Sequence, residues 1–246
     1  MPVTNAQSGT RIDEITDGIF RISTPIAPNP ALPEGFTFNQ YLVVDEQPLL
    51  FHTGLRRMFP LVREAMASVM PVERLRWVSF SHFEADECGA LNEWLAVAPE
   101  AVALCSRTAA MVSVEDFASR PPRALGDGEA IELGRHRVRW LDAPHLPHGW
   151  DAGYLFETST KTLLCGDLFT QPGALPAPLT EGDVLGPSER MRSAMEYFSN
   201  PHGARPLLEK LAATEPATLA CMHGSAWRGD GARLLRALGD ELGRGS

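Results

Sequence analysis

The segment SHFEADECGAL, Ser81 to Leu91, sets His82, Glu84 and Asp86 at every second position and adds a further acid at Glu87, directly after the apolar run RWVSF. In an extended chain the side chains alternate, so His82, Glu84 and Asp86 face one side while Phe83 and Ala85 face the other, toward the core. Three neighbouring carboxylates repel and raise one another's pKa, and a cation placed among them removes that penalty. Metal binding is the chemistry this pattern points to. Glu87 taken alone is equally well explained as a solvated acid favouring the N-terminus of the helix that begins near Cys88.

Further donors follow downstream. APHLPHGWDAGYLF carries His145 and His148 in a turn ahead of a strand, LLCGDLF places Asp167 just after one, and ATLACMHGSAWRG places His223 just after another. A lone His at a strand end is more often a hydrogen-bonded structural residue. The repetition of metal-type residues at strand ends is what points to one sandwich edge holding a site.

The elements that must position these groups are strands and helices in alternation. Nine apolar or alternating runs read as strands: GIFRIS, NQYLVVD, PLLFHT, LRWVSF, AVALC, HRVRWL, GYLFETS, TLLCG and ATLACM. Between them RRMFPLVREAMASV, CGALNEWLAV, SERMRSAMEYFSN, RPLLEKLAAT and GARLLRALGDEL carry apolar residues at helical spacing. Runs of strands closed by a helix, twice over, predict an α/β sandwich with helices on its outer faces. With 246 residues, 44% hydrophobic and 22% charged, and no linker or composition break, the chain reads as one domain, residues 1–246. The Pro- and Gly-rich stretch from Gln171 to Ser188 excludes a regular element, and as a long loop leaving Asp167 it is expected to cover the site mouth. Trp150 and Trp227, beside the His148 and His223 motifs, are candidates to line the same pocket.

Composition excludes several partners. A net charge of −9 without a dense basic stripe argues against nucleic acid. The polar start MPVTNAQSGT and the lack of a long apolar run argue against a signal peptide and a membrane span, so a soluble, cytoplasmic protein is expected. Cys88, Cys105, Cys165 and Cys221 form no C-x-x-C pair and read as reduced, buried thiols.

The order H-x-E-x-D, then His, then Asp, then H-G-x-x-W-R resembles the metallo-β-lactamase superfamily. Within it the sequence resembles the diiron domain of flavodiiron proteins and the stand-alone oxygen-binding diiron proteins. TFNQYLVVDEQPLLFHTG resembles the family's first strands, EYFSNPHGARPLLEKL its helix pair after the Asp, and HGSAWR its final ligand motif, so the likeness covers almost the whole chain. Glu84 is the most informative position, because hydrolytic branches normally place His there. The resemblance implies a metallo-β-lactamase-like αββα sandwich of two mixed sheets with helices on both outer faces. Two departures stand out. The diiron pattern continues H-x-E-x-D-H, but Glu87 occupies the last position; and many members carry Asp where this chain has His52. His52 either orients a ligand through a hydrogen bond or sits satisfied at a strand end, the second reading being favoured.

His148 is preferred over His145 because His148-Gly149-Trp150-Asp151 resembles the family's H-x-x-D turn, with His145 in reserve. The resemblance implies one metal on His82, Glu84, His148 and Asp167 and another on Asp86, Asp167 and His223, with Glu87 an open case and Asp167 bridging. Three imidazoles with three or four carboxylates and no thiolate form a hard donor set that favours two iron ions, with zinc or manganese as alternatives. The expected ligand is dioxygen or nitric oxide. The sequence runs to Ser246 just after GARLLRALGDEL, without the flavodoxin-like module of flavodiiron proteins. Either a separate redox protein is therefore expected to supply electrons, or the site serves as an oxygen sensor with a signalling partner. The oligomeric state is open, a homodimer included. The rivals are a dinuclear metallohydrolase, thioesterase or lactonase in type, using a metal-bridged hydroxide, and a scaffold with a partial metal site and no catalysis.

Overall fold

The computed structural model describes residues 3–244. Two sheets face each other. The first runs β1 (Val3–Asn5), β2 (Thr10–Thr16), β3 (Ile19–Ile26), β4 (Phe36–Val43), β5 (Leu49–Phe51), β6 (Trp77–Ser79), β7 (Val102–Ser106) and β8 (Arg123–Leu125), in that spatial order. It is antiparallel up to β5 and parallel from β5 to β8. The second contains β9 (Ala130–Glu132), β10 (Arg137–Asp142), β11 (Gly153–Glu157), β12 (Thr162–Leu164), β13 (Leu179–Thr180), β14 (Thr218–Ala220) and β15 (Ala226–Arg228), in the order β13-β15-β14-β12-β11-β10-β9. Each of the nine apolar runs coincides with a strand. The strands that the apolar pattern misses, such as β2 with its sequence TRIDEIT and the two-residue β13, are polar or short.

Period-two alternation sorts the side chains into three apolar layers. Tyr41, Val43, Leu49, Phe51, Leu164 and Ala220 point between the sheets. Their neighbours Leu42 and Leu50 point outward onto α1 (Phe59–Ala67) and α3 (Leu91–Val97), where Val62, Met66 and Trp94 meet them. Leu163 and Leu219 point outward on the other side, onto α7 (Ala204–Ala212) and α8 (Gly231–Arg244), against Leu208, Leu211, Leu235 and Leu238. The arrangement is an αββα sandwich of two mixed sheets. The chain also forms the short helices α2 (Ala85–Cys88), α4 (Arg107–Ala109) and α5 (Glu115–Phe117), and the longer α6 (Leu185–Met195).

Two local departures from the sequence pattern matter for the site. The stretch SERMRSAMEYFSN does not stay helical: α6 ends at Met195 because Glu196 adopts a left-handed φ of 52°, which turns Tyr197 out of the helix. The His82 segment is not one continuous extended run either. Beyond Ser79 the chain has no sheet partner, and at Ala85 it enters α2, so Phe83 and Ala85 face solvent rather than the core.

Candidate metal centre

The donors sit on turns that leave strands of both sheets. His82 follows β6, His148 lies between β10 and β11, Asp167 follows β12, and His223 follows β14. Backbone hydrogen bonds lace these turns together: Gly153 N–H donates to Ser81 O (2.9 Å), Met222 N–H to Gly166 O (2.8 Å) and Asn39 N–H to Met222 O (2.9 Å). Asp151 accepts from Phe83 N–H through Oδ2 (2.9 Å), tying the His148 turn to the His82 segment. Gly149 is required at that junction. Its φ is +78°, and a Cβ there would stand 3.2 Å from His82 Cβ.

His82, Glu84, His148 and Asp167 each offer a ligand atom, all within 4.8 Å of one another. His82 Nε2 lies 2.9 Å from Glu84 Oε2 and 2.9 Å from His148 Nε2, and His148 Nε2 lies 3.0 Å from Glu84 Oε2. Asp167 has two faces. Its Oδ2 stands 3.7 Å from His82 Nε2 and 3.5 Å from His148 Nε2, whereas its Oδ1 stands 3.3 Å from His223 Nε2. His223 Nε2 is in turn 3.5 Å from Asp86 Oδ2. Neighbouring donors on an ion with bonds of about 2.1 Å in octahedral geometry stand about 3 Å apart, so the first group has the spacing of a coordination shell, and the contacts of His223 to Asp167 and Asp86 come near it.

The imidazoles are oriented from behind. His148 Nδ1–H donates to Tyr197 O (2.8 Å) and His223 Nδ1–H to Thr37 O (2.8 Å). A carbonyl only accepts, so both rings carry a proton on Nδ1 and turn Nε2 toward the cluster, where its lone pair becomes available to a metal once the Nε2 proton is given up. His82 Nδ1 meets Ser81 Oγ (3.0 Å), which meets His52 Nε2 (3.1 Å), and His52 Nδ1 meets Met222 Sδ (3.0 Å). His52 therefore reaches His82 through Ser81, an arrangement that neither reading of His52 as a direct orienter nor as a bystander describes. Burial, opposed by the Asp167 charge, lowers the His52 pKa to about 3, so this ring is neutral.

The carboxylates explain why a cation belongs here. Burial alone would raise the Asp167 pKa, but hydrogen bonding to His223 and the charges of His82, His223 and His148 hold it well below the usual carboxylate range. Hydrogen bonds from His148 and His82 lower Glu84 to about 2. Burial would lower His148, yet Glu84 and Asp167 raise it to about 9. Both Glu87 oxygens are buried without a hydrogen-bond partner among the described residues. An unpaired buried carboxylate costs several kcal/mol, and a bound cation removes that cost. The donor set and these unpaired oxygens fit a dinuclear metal centre.

His145 is exposed, adopts a left-handed φ of 65° and lies outside the donor group. A cavity of about 310 Å³ opens on the donors, and Leu32, Phe36, Phe38, Thr170, Met195 and Tyr197 complete its wall. The loop from Gln171 to Ser188 is not its cover. Gln171 instead braces the His223 turn, its Nε2–H donating to Ser225 O (3.2 Å) and its Oε1 accepting from Ser225 N–H (3.2 Å). Trp150 is 59% exposed on another surface, and Trp227 donates to Gly182 O (2.9 Å), so neither indole lines the cavity. Thr37 and Tyr197 were beyond sequence reasoning because they act through main-chain carbonyls, which carry no residue-type signal. Ser81 adjoins a donor, but a serine there is common in any turn. The four cysteines are buried and free.

Residues 36–224 match the family model "ODP family beta lactamase". The nitric oxide reductase of Moorella thermoacetica is 25% identical over 245 residues, covering 91% of this chain and 59% of its own length. The rubredoxin-oxygen oxidoreductase of Megalodesulfovibrio gigas is 28% identical over 204 residues, covering 80% and 50%. Together with a diflavin flavoprotein of Nostoc, these curated relatives are matched over only 24% to 59% of their length. Among solved structures, the rubredoxin oxygen:oxidoreductase from Desulfovibrio gigas superposes with a TM-score of 0.80 at 23% identity, over 95% of this chain and 62% of that one. A fragment, 1–254, of a putative diflavin flavoprotein A 5 from Nostoc superposes with a TM-score of 0.80 at 16% identity over 96% of both chains. The chain belongs to the ODP family of β-lactamase-like proteins and has the fold of a flavodiiron core.

Proposed function

We propose that this chain holds a dinuclear non-haem iron centre that binds dioxygen or nitric oxide and reduces it when a redox protein supplies electrons. The observation that carries the reading is the two-faced Asp167, with Oδ2 turned to His82 and His148 and Oδ1 to His223. One ion would be held by His82, Glu84, His148 and Asp167, and the second by Asp86, Asp167 and His223. Three imidazoles, three carboxylates and no thiolate suit iron or manganese better than zinc. Bound iron supplies the electrons and the open coordination positions for a diatomic ligand.

The chain's own residues do the rest. Tyr197 O and Thr37 O hold His148 and His223 by their Nδ1–H groups. Phe36 stacks on His223 with ring centroids 4.3 Å apart and, with Phe38 and Leu32, walls the cavity with apolar surface that limits water. Such a wall suits a small, weakly polar ligand. Glu84 adds a negative charge where hydrolytic relatives carry His, which weakens the polarisation of a substrate carbonyl and argues against hydrolysis. The names of two relatives, a nitric oxide reductase and a rubredoxin-oxygen oxidoreductase, support the same ligands and a small redox protein as donor.

Metal analysis of anaerobically prepared protein, followed by absorption spectra on exposure to air or nitric oxide, tests this reading. About two irons per chain and a new ferric absorption band support it. Colourless protein with two zinc ions and esterase or lactonase turnover overturns it in favour of the metallohydrolase, and sub-stoichiometric metal overturns it in favour of an inert scaffold.

A further inference from the structure

Glu87 stands one residue past the alternating donors, and a strictly extended chain would turn it away from them. The chain does not stay extended. Glu84 is the last extended residue, at φ −140° and ψ 163°, and α2 begins at Ala85, so Asp86 and Glu87 lie on a helical turn. Glu87 is 0% exposed, and its ligand oxygen lies with those of Glu84 and Asp86 within 4.8 Å of one another. The backbone is fixed there as well, since Glu87 O accepts from Thr53 N–H at 2.7 Å. Both Glu87 oxygens lack a hydrogen-bond partner among the described residues.

A helix-end acid of the ordinary kind is solvated, and this one is sealed in beside two other carboxylates. Three outcomes exist for such a group: it takes a proton, it meets a buried cation, or the chain pays the full desolvation of an unpaired charge. Arginine and lysine do not serve, because no ion pair joins either to Glu87 among the described residues, while Asp86 on the same turn faces His223 at 3.5 Å. In the metal-free chain burial and the charges of Asp167 and Asp86 push the Glu87 carboxyl well up, so it keeps a proton; a metal held by Asp86, Asp167 and His223 is the cation that would take that proton's place.

We propose that Glu87 is a fourth protein ligand of the second metal, making that position a hard site of one imidazole and three carboxylates. The inference rests on the dinuclear reading above. The two positions then differ in kind: the first has two imidazoles and two carboxylates, and the second exchanges an imidazole for an anionic oxygen. Carboxylate-rich shells favour manganese and iron relative to zinc, which takes nitrogen and sulfur donors readily. The second position therefore discriminates by ligand type where the first does not.

The test compares wild-type chain with Glu87→Gln, Glu87→Leu and Glu87→His, each checked for fold by circular dichroism. Metal per chain is measured after anaerobic loading with Fe²⁺, and Mn²⁺ is competed against Zn²⁺. Wild type is expected to hold two ions. Glu87→Gln, similar in size but uncharged, is expected to hold the second at least about tenfold more weakly, and Glu87→Leu serves the same purpose if the amide fails to fold. Glu87→His is expected to recover two ions with its preference moved toward zinc. Two ions in wild type and two held equally tightly by the Gln or Leu variant overturn the assignment of Glu87 and leave the dinuclear centre standing. Fewer than two ions in wild type overturn the dinuclear reading and this inference with it.

Discussion

At Asp167 the two carboxylate oxygens look in different directions, toward His82 and His148 on one side and His223 on the other. Asp167→Ala removes a donor from both positions at once, so metal analysis should find at most one ion, whereas His145→Ala, an exposed change, should keep the wild-type complement. Ser81→Ala cuts the path from His52 to His82. Loss of such a supporting hydrogen bond typically weakens metal affinity by about 10–100-fold, and competition with a chelator of known affinity measures it. The raised His148 pKa of about 9 makes a pH prediction with opposite signs for two observables. Without metal, the folded chain binds this proton more tightly than the unfolded chain, whose His titrates near 6.5. The stabilisation is full below that value and is lost as pH rises through about 9. Metal must displace the same proton, so affinity should rise over the same interval and level off above about 9. Denaturant titrations of metal-free protein and metal-binding titrations at matched pH check the two slopes.

At the scale of elements, the turns decide the site and the helices decide stability, and two substitutions separate these roles. Gly149→Ala places a Cβ against His82 and Asp151 Oδ1 at a φ of +78°. A left-handed L residue costs roughly 1–2 kcal/mol, and the displaced His82 should weaken metal binding as well. Leu235→Ala, on the buried face of α8 between the helix pair and the second sheet, should cost about 2–5 kcal/mol as a cavity. Its metal affinity should be unchanged because α8 carries no donor. Thermal midpoints together with metal titrations distinguish the outcomes. The helix α6 shows the same logic in the native chain: its early end at Glu196 frees Tyr197 O to receive His148 Nδ1–H.

Across the whole molecule, the donors come from both sheets, so a metal held by them would tie the sandwich halves at one edge. His82 and Asp86 follow the first sheet, while His148, Asp167 and His223 belong to turns of the second. A ligand that binds only the folded state stabilises it by about 2.7 kcal/mol at a free concentration of 100 times its Kd. Chelation should therefore lower the thermal midpoint, and the drop should shrink in Asp167→Ala, where less metal is bound to begin with. An equal drop in both chains would mean that chelation acts on something other than these donors.

Much of this was legible along the chain. Alternation of apolar residues in NQYLVVD and TLLCG is enough to predict two-sided burial, because neighbouring side chains on a strand cannot share a face, and it places Asp167 and His223 just beyond strand ends. The spacing of His82 and Glu84 likewise follows from an extended segment, which the structure retains up to Glu84. What lies past that residue was decided elsewhere. Glu87 is buried because α2 starts at Ala85 and Thr53 N–H holds the Glu87 carbonyl, a contact across 34 positions of sequence that no local period encodes. His148 rather than His145 reaches the donors because Gly149 lets its turn close onto His82, and Tyr197 and Thr37, distant in sequence, orient the rings through carbonyls that every residue possesses. Local sequence sets which side of an element a residue occupies; which elements meet, and therefore which donors converge, is set by packing between sheets whose contacts are far apart along the chain.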